Sequence, residues 1–433
     1  MRSSAALFLA AALHAAGVPT IDESLSMKSV SSPRISPDGR YVAYHVTSAN
    51  WEENEFVTQI WLASLVTGER YQLTSGKKSA TGPEWSPGSR QIAFVSDRDG
   101  KRQIYLIPPA GGEAAQLTAE ENGVGEIAWA PGGGAIAFTS TGPDSPAMKA
   151  RKEKYGEYQV AGGDYTMTHL WLVQVPAEIP ADPKKLPKPE PLTSGAGFTV
   201  NGFSWSPDGK HIAFSAQRDP DLGSSDTEQV YVLDLEGRRI HQLTTGSGPN
   251  GNPKWSPGGR RIAYTTSNGS PSYYYTNRYI AAISAEGGAP EILTAGFDED
   301  ANLACWSPAG IYFTAQQKTV SAIFRLDPAT KQVTRISTPA DFSASAPSFT
   351  ADFQTFAATG AAPNRFSEVF TTSSGAFAPR TLTDVSAQYR DFSLATREVI
   401  QWKSADGTPI EGILIKPASY DPARKYPLLV VIH

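Results

Sequence analysis

The sequence predicts an all-β fold, a seven-bladed β-propeller. Three observations carry that expectation: a corner motif that recurs along the chain, a second marker that closes each unit, and the regular spacing of the two. The corner reads ISPDGRYVAY from Ile35, WSPGSRQIAF from Trp85, WAPGGGAIAF from Trp129, WSPDGKHIAF from Trp205, WSPGGRRIAY from Trp255 and WSPAGIYF from Trp306. A seventh, degraded copy, FTADFQTFAA, begins at Phe349. Proline fixes φ for the second position of a tight turn, and the Asp or Gly after it suits the conformations that follow, so each copy is a hairpin corner. The Ile-Ala-Phe or Val-Ala-Tyr run after the corner alternates with a period of two, as in a half-buried strand.

The closing marker is Leu73-Thr74, Leu117-Thr118, Leu192-Thr193, Leu243-Thr244, Leu293-Thr294, Ile336-Ser337 and Leu382-Thr383. Between corner and marker lies a further β-rich segment, such as QIYLIPP from Gln103, HLWLVQV from His169 or QVYVLDL from Gln229. Each unit therefore holds about four short strands, the content of one propeller blade. The corner positions Pro37, Pro87, Pro131, Pro207, Pro257, Pro308 and Ala351 place seven blades over residues 31–387. A Trp-Asp blade ending is absent, and the units lack the 3.6-residue periodicity of helical solenoids.

At 433 residues the chain exceeds one compact core. With 38 basic and 43 acidic residues it lacks the positive excess that a nucleic-acid backbone or an anionic membrane face requires. Its 38 glycines and 33 prolines fit an architecture of many tight turns. The single thiol, Cys305, excludes an internal disulfide and reads as a small buried hydrophobe.

Residues 1–17 read as a secretory signal peptide: Arg2, an apolar run from Ala5 to Leu13, then Ala15, Ala16 and Gly17 at the cleavage region. The run is too short to span a bilayer, so an exported protein, periplasmic or extracellular, is expected, with no membrane span after cleavage. Residues 18–30 form an N-terminal helical segment, with Thr20 and Glu23 in capping-box spacing. The longest interval between corners contains STGPDSPAMKARKEKYGEYQVAGGDYTMTH, from Ser140 to His169. Asp144 or Ser145 suits an N-cap and Pro146 the first helical position, so a charged helix should project from blade three. The acids of this insertion pair readily with Lys149, Arg151, Lys152 and Lys154 along a solvated helix face. SYYYTNRY, from Ser272 to Tyr279, is expected to pack between blades. His45, His169, His211 and His241 fall in different blades without metal-ligand spacing, so neither metal nor cofactor is expected.

After Ala387 the repeat ends. REVIQWKSADGTPIEGILIKP gives two strands around the Asp406-Gly407 turn, and PLLVVI reads as a fully buried strand. The corner repeat resembles that of TolB-like propellers and of the propeller in the prolyl oligopeptidase family of serine peptidases. DGTPIEGILIKP and YPLLVVIH resemble the start of that family's α/β-hydrolase domain, and its acylaminoacyl-peptidase and dipeptidyl-peptidase branch is the nearest fit. The resemblance implies a propeller that gates short peptide substrates, and residues 388–433 as the incomplete start of the peptidase domain. It places His433 at the first residue of the oxyanion loop, and makes Glu153, Glu157 and Asp164 candidate anchors for a peptide's amino terminus. No Gly-x-Ser-x-Gly nucleophile elbow occurs, so no catalytic residue is assigned and the chain alone is expected to be inactive. The rival expectation is a stand-alone periplasmic TolB-like propeller that binds a protein or peptide partner; a sugar-lyase propeller is disfavoured by the missing metal ligands.

Overall fold

The computed structural model describes residues 17–157, 163 and 165–432. The residues assigned to the signal peptide, apart from Gly17, lie outside the described residues, as do Asp164 and His433. Two compact units result, one of Lys28–Val385 and a smaller one of Met1–Met27 with Ser386–His433.

The larger unit is a ring of seven four-stranded antiparallel sheets, each made of four consecutive strands in simple order. The innermost strands are Ser29–Ile35, Ala80–Trp85, Ile127–Trp129, Thr199–Trp205, Asn250–Trp255, Asn302–Ser307 and Ser343–Phe349, for blades one to seven. Each corner closes as a hairpin in which the Ser hydroxyl organises the turn: Ser206 Oγ donates to Asp208 Oδ1 (2.6 Å) and accepts from the His211 amide (2.9 Å). The residue after the turn must take positive φ, which Gly39, Gly133, Gly209 and Gly259 do without strain. Corners of successive blades nest, since a Cβ on Gly133 or Gly209 would meet the Pro87 or Pro131 ring at 3.6 and 3.5 Å.

The core is divided into seven apolar clusters, one in each seam between adjacent blades. In blade two Ile92 and Phe94 join the seam with blade one, whereas Ala93 and Val95 join the seam with blade three. Blades three, four and five repeat this: Ile and the aromatic residue face the preceding blade, Ala the following one. The expectation of half-buried strands is corrected here, because all of Ile92–Ser96 is buried. Both faces of every sheet are covered by neighbouring blades, so the alternation in the sequence is one of large and small residues rather than of buried and exposed ones.

The closing marker has a defined task. Its hydroxyl accepts the amide of the third strand and donates to the side chain before that amide. Thr118 Oγ1 accepts from Ile104 N (2.9 Å) and donates to Gln103 Oε1 (2.7 Å), and Thr74 with Gln59 and Thr244 with Gln229 repeat the pair. Thr193, Thr294, Ser337 and Thr383 accept the equivalent amides of the remaining blades. These hydroxyls are buried, so losing one strands a donor and an acceptor away from water.

The ring closes without strand exchange. Blade one packs on blade seven through Val30, Ile35, Val42, Ala357 and Val369, with Ile35 N donating to Ser348 Oγ (3.2 Å) and Ala351 N to Pro37 O (3.0 Å). Four strands per blade is an even number, so each blade begins and ends on one face of the ring. The loops between second and third strands share that face, and the corners occupy the other. The blade-three insertion there carries helix α1 (Pro146–Tyr155), with Ser145 Oγ accepting from Met148 N (3.2 Å) and Pro146 in the first turn.

In the smaller unit Thr20 and Glu23 form the expected capping box on a short helix, Ile21–Ser26. Thr396–Lys403 and Pro409–Lys416 pair in full register around a turn in which Gly407 has φ 88°. Hydrogen bonds from Ser404 and Thr408 bring the Asp406 carboxyl down to about 2. The PLLVVI strand is not formed: Leu428–Ile432 are exposed and unpaired, since no described strand offers the neighbours that an apolar central strand needs.

Two outcomes check this account. Thr118→Val keeps the shape but removes the hydroxyl, and should lower stability by about 1–3 kcal/mol in denaturant unfolding, whereas exposed Thr67→Val should change it by less than about 0.5 kcal/mol. Buried His45, whose Nε2 accepts from Gly82 N (3.2 Å), is pushed down to about 4 by burial and by the Arg34 charge. Its neutral ring therefore contributes stability above its ordinary value near 6.5 that is lost as pH falls towards 4. The loss is about 3 kcal/mol at most, and His45→Gln should flatten that part of the pH profile of the melting temperature.

Candidate functional site

In a propeller the innermost strands surround the axis, so the residues that line it come from equivalent positions in each repeat. Here the position is the residue immediately before the corner aromatic: Arg34, Glu84, Ala128, Ser204, Lys254, Cys305 and Ser348. In six of the seven blades a shift of register precedes it, as between Thr81 and Glu84 or Gly251 and Lys254. Such bulges re-aim a side chain, here where the second strand could otherwise have paired it in a regular ladder.

The axial backbone is fixed by the next blade. The Trp85 indole donates to Arg34 O (2.9 Å), Trp129 to Glu84 O (3.1 Å), Trp205 to Ala128 O (3.2 Å) and Trp255 to Ser204 O (3.2 Å). Thus the tryptophan that marks each corner in the sequence clamps the axial residue of the blade before it. At blade six the indole bond is replaced by Asn252 Nδ2 donating to Leu303 O (2.9 Å).

Charges from distant blades meet across this axis. Arg34 Nε pairs with Glu84 Oε1 at 3.1 Å. Lys254 of blade five is attracted to Glu126 of blade three and Glu84 of blade two and repelled by Arg34 of blade one, which three separate blades can do only across the axis. Burial lowers the Lys254 ammonium from its usual range. It likewise raises the Glu126 carboxyl, whose Oε2 lies 3.7 Å from where a Cβ on Gly202 would stand. Cys305 is half-buried among these charges, and burial pushes its thiol up to about 12, so it stays protonated at neutral pH.

The candidate residues from the sequence lie elsewhere. Glu153 and Glu157 are exposed on and just after α1, and Lys152 Nζ holds both Asp144 (2.8 Å) and Glu157 (3.3 Å). Asp164 and His433 lie outside the described residues. The tyrosines do not pack between blades as expected: Tyr274 is 64% and Tyr275 92% exposed on the loop between second and third strands of blade five. Small Ser and Gly residues on either side let that loop stand clear of the seam. Tyr274 OH donates to Leu222 O (2.9 Å) and Tyr165 OH to Asp221 Oδ2 (2.6 Å), so the loops of blades three, four and five form one continuous rim. The axial set was missed from sequence, although its signal is simple: the variable residue before an invariant-looking corner.

Among the described residues no cluster of three or more His, Cys, Asp or Glu side chains could hold a metal ion, and no helix is long and apolar enough to cross a membrane.

The family model described as TolB beta propeller domain matches residues 19–166. Dipeptidyl-peptidase 5 of Porphyromonas gingivalis is 27% identical over 335 residues, covering 72% of this chain and 48% of that protein. The Tol-Pal system protein TolB of Francisella tularensis matches only 83 residues at 32% identity, 19% of this chain and 17% of that protein. Among solved structures, a Pyrococcus horikoshii acylaminoacyl peptidase superposes with a TM-score of 0.71 at 17% identity, over 93% of this chain and 60% of that one. A puromycin hydrolase gives 0.69 at 15%, over 95% and 63%. The class is thus a seven-bladed propeller of the kind carried by prolyl-oligopeptidase-family peptidases. Its relatives by sequence are dipeptidyl and related peptidases, and the chain spans about half the length of the curated relative it matches most extensively.

Since both shifts at the axis oppose the charged forms, Glu126 would stabilise the fold only when protonated, below the ordinary carboxylate range. Lys254 would do so only when neutral, above the ordinary ammonium range. At neutral pH both charges strain the ring. The double variant Glu126→Gln/Lys254→Met should therefore unfold at higher denaturant, by about 1–4 kcal/mol. A loss of stability would show instead that the pair helps to hold the blades together.

Proposed function

We propose that this chain is the substrate-gating propeller, with the opening segment of the catalytic domain, of an exported serine peptidase that acts on short peptides. The observation that carries this reading is the extent of the likeness to dipeptidyl-peptidase 5, 335 residues against 83 for TolB. Residues 31–387 are read as the propeller and residues 388–433 as the beginning of an α/β-hydrolase domain, which the full-register hairpin and the exposed apolar side chains Val399, Ile413, Ile415 and Leu428–Ile432 support. Residues 1–17 are read as the export signal and 18–30 as the helical segment after it, with a periplasmic or extracellular destination.

In the whole enzyme a serine would attack the peptide carbonyl with histidine as base and aspartate orienting it, and water would release the acyl group. His433 stands in this reading at the first residue of the oxyanion loop. A ring closed by side-chain packing admits short peptides to its axis and excludes folded protein by size. The exposed acids Glu153 and Glu157, together with Asp164, are proposed to hold the peptide's amino terminus from the rim.

The 433-residue chain contains no nucleophile elbow and should leave dipeptidyl and acylaminoacyl nitroanilides intact, while the product of the complete reading frame should hydrolyse them. In that product Glu153→Gln and Glu157→Gln should raise KM severalfold with kcat unchanged. Turnover by the 433-residue chain, or none by the complete product, overturns the reading.

A further inference from the structure

The axis of the propeller carries two charges that the gating role does not explain. Lys254 and Glu126 attract one another but make no direct ion pair, and no other described side chain forms a hydrogen bond or ion pair with the Lys254 ammonium or the Glu126 carboxylate. Arg34 and Glu84, by contrast, satisfy each other at 3.1 Å. The remaining axial positions are small or neutral. Ala128 has no polar side chain, the Ser204 hydroxyl is spent on Pro253 O (2.8 Å), and the Ser348 hydroxyl accepts from Ile35 N (3.2 Å). The axis therefore presents one cation and one anion, side by side in the ring, with a gap between them and small residues around it.

We propose that Lys254 and Glu126 form a binding site for a zwitterion, a free α-amino acid or an unblocked dipeptide, with the ligand's carboxylate on Lys254 and its ammonium on Glu126. A simple anion would be repelled by Glu126 and Glu84, and a simple cation by Lys254 and Arg34; a ligand with both charges at its two ends relieves both uncompensated groups at once. The geometry agrees with the way each group is held. Lys254 is aimed inwards by the register shift after Gly251, and Glu126 leans over Gly202, where a side chain would crowd it. Neither residue lies in the rim insertion or among the amino-terminus anchors proposed above. The choice of peptide as the ligand class rests on the peptidase reading; the two uncompensated charges do not.

The test is a calorimetric titration of the 433-residue chain with Ala-Ala, N-acetyl-Ala-Ala and Ala-Ala amide. Ala-Ala should bind saturably, and blocking either end should weaken binding by about tenfold or more. Lys254→Met should bind Ala-Ala amide as well as Ala-Ala, Glu126→Gln should no longer distinguish the acetylated peptide, and Lys254→Arg should retain binding. Circular dichroism and the Lys254→Arg variant separate loss of the site from loss of the fold. Absence of saturable Ala-Ala binding by the folded wild-type chain, or equal binding of all three ligands, overturns the proposal. Hydrolysis by the complete product without axial binding would leave the gate reading standing and remove this site; axial binding without hydrolysis would do the reverse.

Discussion

The packing of one blade on the next is the constraint from which the rest of this propeller follows. No blade can bury its own two faces, so every sheet depends on both neighbours, and the apolar core exists only as seven wedges between them. That dependence dictates the large-small alternation of the second strands. Blade one meets blade seven by the same kind of contact, without a shared strand to tie the ends. Its corner has Ile35 where blades two to six have Trp, so this seam is held by Ile35, Val42 and Val369 together with two hydrogen bonds.

The axial charges are a consequence of how the seams are fastened. A tryptophan indole reaches back to the carbonyl of the axial residue in the preceding blade, so packing and axis lining are specified by adjacent positions in one motif. The motif fixes the backbone and leaves the side chain free to vary. That freedom lets Arg34, Glu84 and Lys254 stand in a setting where burial opposes the Lys254 charge, and retaining such a group at a cost in stability points to a use for it.

Much of this was legible in the sequence because it is local. A Ser-Pro-Asp-Gly corner states its own turn, Thr20 with Glu23 states a capping box, Ser145-Pro146 states a helix start, and Asp406-Gly407 states a hairpin. What could not be read was decided by partners distant in the chain. Ile-Ala-Phe looks half-buried until a neighbour covers its alanine face. Tyr274 and Tyr275 look like seam residues until their loop is seen to stand outside the seam. Leu428–Ile432 read as a central strand by composition, yet a strand needs neighbours to pair with. The axial set escaped because its members share a position and not a residue type: Arg, Glu, Ala, Ser, Lys, Cys and Ser follow no chemical pattern until the ring brings them to one axis.

The most direct measurement of this account is native-state hydrogen exchange of the chain at neutral pH, resolved blade by blade. If the ring depends on seam packing and the seam between blades seven and one is fastened without an indole bond, amides of Ser29–Ile35 and Ser343–Phe349 should exchange through an opening of lower free energy than those of Thr199–Trp205 and Asn250–Trp255. Equal protection of all four strands would contradict it.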